Sequence, residues 1–222
     1  MRYLLVLSLL LLPLSAQADR NARMRSNHFD IGLGMNGCVN SGDYECKINE
    51  EEIGAGFGLR VGYTYRFLPF LGAGLDFSWG TFSIEQPEAT ETSKTELSAS
   101  TLSAIPMLRG FYGYKKVGFN LGLGMGYYQN SGNTTTTSGE QEFSTDTSFS
   151  TMTAFKFSLG VAYKISGQMG VGIYYDMIMG GSGEPTVEID PEPEETMQSS
   201  EGEKEADFPG VSQFGLNFYY RL

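Results

Sequence analysis

The sequence predicts an all-β fold, a closed antiparallel eight-stranded transmembrane up-and-down β-barrel, and three observations carry that prediction. Apolar residues alternate with small or polar ones in eight segments, the links between segments alternate between long and short, and charges gather on the non-apolar face. A period of two puts each set on its own face of a sheet. The 29 glycines, 15 phenylalanines and 13 tyrosines are a strand-and-turn composition. No segment after the N-terminal one sustains a 3.6-residue apolar stripe, which argues against an α-rich fold.

Residues 1–18 read as a secretory signal peptide: Arg2, an apolar run over residues 4–14, then Ser15, Ala16, Gln17 and Ala18, with cleavage expected after Ala18. The run is too short to cross a bilayer as a helix, which takes about 20 residues. Cleavage removes one arginine and no acid, leaving 14 basic residues against 26 acidic ones and a formal net charge of −12. With no basic field to recruit phosphates, nucleic acid is not an expected partner. Residues 19–28, with Arg20, Arg23 and Arg25, are expected to form a short periplasmic lead, and residues 29–222 the barrel.

The first strand sets Phe29, Ile31, Leu33 and Met35 against Asp30, Gly32, Gly34 and Asn36. The second sets Phe57, Leu59, Val61, Tyr63 and Tyr65 against Gly56, Gly58, Arg60, Gly62 and Thr64. In the third, Leu71, Ala73, Leu75, Phe77 and Trp79 alternate with Gly72, Gly74, Asp76, Ser78 and Gly80, after which residues 81–84 slip the phase and suggest a bulge. The fourth, about residues 97–112, is mixed: Leu102, Ala104, Pro106 and Leu108 compete with Ile105, Met107 and Phe111 for the apolar face, and Pro106 lacks a ladder donor. The fifth, sixth and seventh place Leu121 and Leu123, Phe157 and Leu159, and Val171 and Ile173 on the apolar face. The eighth has Phe214, Leu216, Phe218, Tyr220 and Leu222 on one face and Gln213, Gly215, Asn217, Tyr219 and Arg221 on the other.

Links near residues 39–53, 85–97, 129–148 and 180–209 are long and polar, whereas those near 67–69, 113–116 and 166–168 are tight. Four long extracellular loops on one rim, with tight periplasmic turns and both termini on the other, fit a transmembrane barrel. A soluble lipocalin-like barrel would reverse the faces and take the bulky residues inside. The charged face here is rich in glycine and serine and suits a narrow polar lumen. Turning it outward into hydrocarbon would cost roughly 2–4 kcal/mol for each Arg or Lys near the midplane. Tyr65, Phe67, Phe70, Tyr112 and Tyr114 toward one rim and Trp79 and Phe82 toward the other read as interfacial aromatic belts.

The closing segment resembles the terminal strand of bacterial outer-membrane barrels, with Leu222 standing where those usually end in an aromatic residue. The resemblance implies that Phe218, Tyr220 and Leu222 are read by the barrel-assembly machinery. Strand number, loop alternation and terminal strand together resemble small outer-membrane proteins of the OmpA-barrel and OmpX type over essentially the whole mature chain. What this implies is an integral protein of the outer membrane of a Gram-negative type envelope, surrounded by outer-membrane lipid and lipopolysaccharide.

Cys38 and Cys46, alone in a chain expected to leave the cytosol, are expected to form a disulfide. Expected lumen charges are Asp30, Arg60, Asp76, Arg109, Lys156, Lys164, Asp176 and Arg221. They suit either an ion path or structural salt bridges; the narrowness of an eight-stranded barrel favours salt bridges. The glycine runs at residues 54–58 and 121–126 lack the strand, turn and helix order of a phosphate loop. Residues 180–209 hold ten acids and Lys204 as the only base, which reads as a solvated, mobile loop with diffuse cation attraction. Residues 129–147, rich in Ser, Thr and Gly, look equally flexible.

The only histidine, His28, is expected at the periplasmic rim and has no catalytic partner there, which argues against a Ser and His acyl transferase. No cofactor or metal site is expected. The function read from the sequence is a non-enzymatic, envelope-structural and adhesin-like barrel whose acidic loops meet an extracellular macromolecule. The alternatives are a narrow solute or ion pore and a lipid A-modifying enzyme.

Overall fold

The computed structural model describes residues 26–39, 46–48, 51–84, 93–138, 141–180, 182–183, 185–190, 206–207 and 210–222. The expected signal peptide, and residues 19–25 of the expected lead, lie outside the described residues. Eight long strands form the wall: β1 (Ser26–Val39), β2 (Gly56–Leu68), β3 (Leu71–Phe82), β4 (Ser93–Tyr114), β5 (Val117–Ser138), β6 (Gln141–Lys164), β7 (Met169–Met179) and β8 (Gly210–Arg221). Each pairs antiparallel with its chain neighbour. β8 closes on β1 from His28↔Arg221 to Val39↔Gly210, so no strand of the wall keeps a free edge along the barrel body.

Alternation decides the faces. Phe29, Ile31, Leu33 and Met35 on β1, Leu121 and Leu123 on β5, and Leu216 and Phe218 on β8 point outward and are exposed. Asp30, Arg60, Asp76, Arg109, Lys156 and Asp176 point inward and are buried. This inversion of the usual globular pattern is stable only where hydrocarbon surrounds the wall. Tyr65, Phe67, Phe70, Tyr112 and Tyr114 are exposed beside the tight turns, and Trp79 is exposed toward the far rim.

Several expectations are corrected. β1 starts at Ser26, so Ser26, Asn27 and His28 belong to the ladder, opposite Arg66, Tyr65 and Thr64. They carry no apolar alternation because they sit at the rim. At residues 81–84, β3 keeps its own alternation and its register with β4 as far as Phe82↔Ala99, and the expected bulge falls on the opposite chain, where Gly54 and Ala55 both face Ser83 and the pairing moves by one residue between Gly58↔Gly80 and Ile53↔Ile84. Phe82 and Ile84 are buried on the inner face instead, so Phe82 is not part of an aromatic belt. On β4, Leu102 and Leu108 face out while Ile105 and Met107 are buried inside, which resolves the mixed face. Further register shifts lie between Arg66 and Leu68 and between Gly126 and Tyr128.

Residues 129–138 and 141–147 are paired strand and not loop. β5 and β6 pair as far as Ser138↔Gln141, and β4 extends back to Ser93 beside them. Backbone ladders need no apolar face, and threonine favours strands. Within 180–209, Pro185–Asp190 adds to β6 and Ser182–Gly183 pairs with Ala206–Asp207. Residues 191–205 of the acidic segment lie outside the described residues. The β4–β5 turn is the two residues Lys115 and Lys116, with Lys115 at φ 55°, a left-handed conformation that suits glycine better. At the same rim Leu222 N–H donates to the Asn27 carbonyl, tying the C-terminal residue to β1.

Candidate functional site

The lumen gathers most of the protein's buried chemistry. Asp30 comes from β1, Arg60 from β2, Asp76 from β3, Arg109 from β4, Lys156 from β6 and Asp176 from β7, so six of the eight strands meet in one ion-pair network. Arg60 lies 2.8 Å from Asp30, 3.1 Å from Asp176 and 3.7 Å from Asp76. Arg109 lies 2.6 Å from Asp76 and 3.3 Å from Asp30. Lys156 Nζ is 2.8 Å from Asp176 and 3.2 Å from Asp76. Every carboxylate touches at least two cations, and three acids balance three bases. That balance compensates the desolvation of charges such as Asp76 and Lys156, which are 0% and 1% exposed.

Neutral groups complete the arrangement. Arg109 donates to Thr64 Oγ1 at 2.7 Å, Ser158 Oγ donates to Asp176 at 2.6 Å, and the Arg60 guanidinium lies 4.9 Å from the Tyr174 ring centroid. Two glycines make the room. A Cβ on Gly32 would meet the Tyr174 ring at 2.6 Å, and one on Gly62 would meet Asp30 Oδ1 at 2.5 Å. Gly32→Val is therefore expected to displace Tyr174 and cost about 1–3 kcal/mol by overpacking. Urea unfolding of the refolded barrel measures this; an unchanged midpoint would mean the inner face is not tightly packed.

Above the network the lumen narrows. A cavity of about 10 Å3 lined by Asn36, Ser78, Thr101, Ser103, Tyr128 and Gln213 has room for about one water. Ser78 and Ser103, opposite each other on β3 and β4, share a hydrogen bond of 2.5 Å along its wall. Phe82, Ile84, Ala99, Tyr128, Ile178 and Val211 then form a buried apolar cap. Toward the tight turns the lumen opens into a cavity of about 180 Å3, bordered by His28, Asp30, Arg66, Arg109, Phe111 and Tyr219 among others.

Two of the eight expected lumen charges stand apart from the network. Lys164 is exposed at the end of β6, and Arg221 is half-buried at the rim, on the rung opposite His28. Both lie beyond the depth at which inward groups are shielded, because their strands end there. His28 is also at this rim, stacked on Phe111 at 5.8 Å and hydrogen-bonded to Ser26 Oγ at 3.0 Å. Sequence reading missed Arg66, which shares the inner face with Arg60 and Thr64. Extending the alternation of β2 by one step past Tyr65 would have found it. Phe218 and Leu222 point outward, exposed, and Tyr220 shares their face half-buried. Cys38 and Cys46 are joined by a disulfide that closes the base of the first long connection against β1.

Comparison with known proteins agrees with this geometry. Of the solved structures, a major outer membrane protein from Thermus thermophilus matches at a TM-score of 0.56 and 13% identity, covering 89% of this chain and 99% of that one. The Ail attachment invasion locus protein of Yersinia pestis matches at a TM-score of 0.43 and 15% identity, over 89% of this chain and 98% of its own. Neisserial surface protein A matches at 0.45 and 11%, over 88% and 96%. At such identities the likeness is one of fold. No curated protein matches the sequence. The family model of the outer membrane protein beta-barrel domain matches residues 4–221, and with an apolar exterior and a charged, closed interior the chain belongs to that family as an integral protein of the outer membrane.

Proposed function

We propose that this protein is a non-conducting, non-enzymatic barrel whose extracellular side is a β-sheet platform for binding an extracellular macromolecule. The observation that carries this reading is the continuation of β4, β5 and β6 past the apolar band, with Pro185–Asp190 added beside β6. Among the described residues, Pro185–Asp190 pairs on one side only, and residues 93–98 of β4 pair only with β5. Unpaired strand edges offer backbone donors and acceptors to an incoming extended segment. Below them the ion-pair network spans six strands and gives the platform a rigid base.

The surrounding acids favour a partner that is not itself a polyanion, since residues 180–209 hold ten acids and one base. The packed lumen weighs against a pore, and the position of His28 at the tight-turn rim weighs against acyl transfer at the outer surface. The test compares cells producing the protein with cells producing a variant in which Pro185–Asp190 is replaced by glycine and serine. Retention on surfaces coated with extracellular-matrix proteins is expected to fall to that of cells lacking the protein, at equal outer-membrane abundance. Unchanged retention would sink the edge-binding reading. A steady, sizeable single-channel conductance in planar bilayers would sink the non-conducting one.

A further inference from the structure

The periplasmic mouth of the lumen carries charge that the buried network does not neutralise. In that network Asp30, Asp76 and Asp176 are matched by Arg60, Arg109 and Lys156. Arg66 and Arg221, both on inner-facing positions of the rim, are surplus to that balance, and among the described residues neither pairs with a carboxylate. They flank the start of β1, Arg66 on the rung of Ser26 and Arg221 on the rung of His28. Arg66 is held in place all the same: its guanidinium lies 4.5 Å from the Phe111 ring centroid, and its Nη2 donates to the Pro69 carbonyl. Beside it lies the cavity of about 180 Å3. Arg109 and Asp30 also border the cavity, and there they neutralise each other at 3.3 Å.

A pinned, half-buried arginine on the wall of this cavity and a second arginine without a carboxylate partner on the adjoining rim make an oxyanion cradle. Guanidinium groups bind phosphate through paired, charge-assisted hydrogen bonds. We propose that this vestibule is a phosphate-binding site facing the periplasm, with Arg66 and Arg221 as its principal ligands. The phosphate is that of a free solute or of an inner-leaflet lipid headgroup; the aromatic residues Tyr112 and Tyr114 at the same rim sit where headgroups lie. The site does not depend on the extracellular reading above.

The test uses the full chain, refolded in lauryldimethylamine oxide, with the arginine Nε–H resonances followed by NMR. Sodium phosphate is titrated against sodium chloride at equal ionic strength, and dihexanoyl phosphatidylglycerol forms a parallel arm. Saturable shifts with phosphate, absent with chloride, are expected. Arg66→Gln and Arg221→Gln are each expected to weaken binding about tenfold, the loss of one charge-assisted hydrogen bond. Lys115→Gln, on the same rim outside the cavity, is expected to leave it unchanged. Arg66→Lys, which keeps the charge, substitutes if Arg66→Gln fails the heat-dependent gel shift that reports folding. Tighter binding of the lipid than of phosphate assigns the headgroup, and the reverse assigns the solute. No saturable shift in either arm, or equal weakening by Lys115→Gln, overturns the proposal.

Discussion

Asp76→Ala is expected to lower the stability of the barrel by about 3–5 kcal/mol, because it strands buried cations without their partner. Asp76 is fully buried and faces Arg60 at 3.7 Å, Arg109 at 2.6 Å and Lys156 at 3.2 Å. Its removal leaves three cations sharing two carboxylates in a space closed to bulk water. Asp76→Asn is expected to behave similarly, since it keeps the volume and removes the charge. Urea unfolding in lipid vesicles gives the number. The coupling is tested by Lys156→Met and Asp176→Asn, alone and together. The double variant restores the balance at two arginines and two aspartates, so it is expected to cost less than the sum of the singles by about 0.5–3 kcal/mol. Strict additivity would show that the charges are solvated and independent. The network also holds register, because a one-residue slip of any contributing strand turns its charge outward into hydrocarbon.

Leu216→Arg is expected to destabilise by about 2–4 kcal/mol, the cost of placing a guanidinium near the bilayer midplane. Leu216 is 69% exposed, pairs opposite Leu33 on β1 and Ile173 on β7, and sits mid-strand. Val117→Arg, at the start of β5 beside the tight turn, is expected to cost only about 0–1 kcal/mol because the side chain reaches the interface. The same unfolding measurement in vesicles compares the two. Equal costs would contradict a membrane-spanning wall, and a stabilising Leu216→Arg would mean that water surrounds this face.

The wall was legible wherever alternation ran through the apolar band, because lipid on one side and a crowded polar lumen on the other impose opposite chemistry on successive residues. It was misread where one of those environments changed. Phe82 and Ile84 are apolar and inward because the lumen there is capped rather than charged, so hydropathy lost its period while the backbone kept its own. The strand extension over residues 129–138 and 141–147 was invisible for a related reason. Above the membrane neither face is oily, and the pairing from Asn130↔Phe149 to Ser138↔Gln141 is a matter of backbone hydrogen bonds that composition does not record. The candidate site divides the same way: inward parity marked the six network charges, yet the same parity also marked Lys164 and Arg221, which lie at the rim.

By itself, then, the sequence determined that the chain makes eight antiparallel strands with a greasy face and a charged one, and that such a wall belongs in a membrane. Those properties are local, since each residue's side of the sheet follows from its neighbours two positions away. Only the tertiary structure decided which charges meet, that three acids and three bases cancel while Arg66 and Arg221 remain, and that the lumen is capped at one end and open at the other. These depend on stagger, on strand ends and on the space that glycines such as Gly32 and Gly62 leave for side chains arriving from elsewhere in the barrel. Depth along the barrel axis is set by closure, and closure is a property of all eight strands at once.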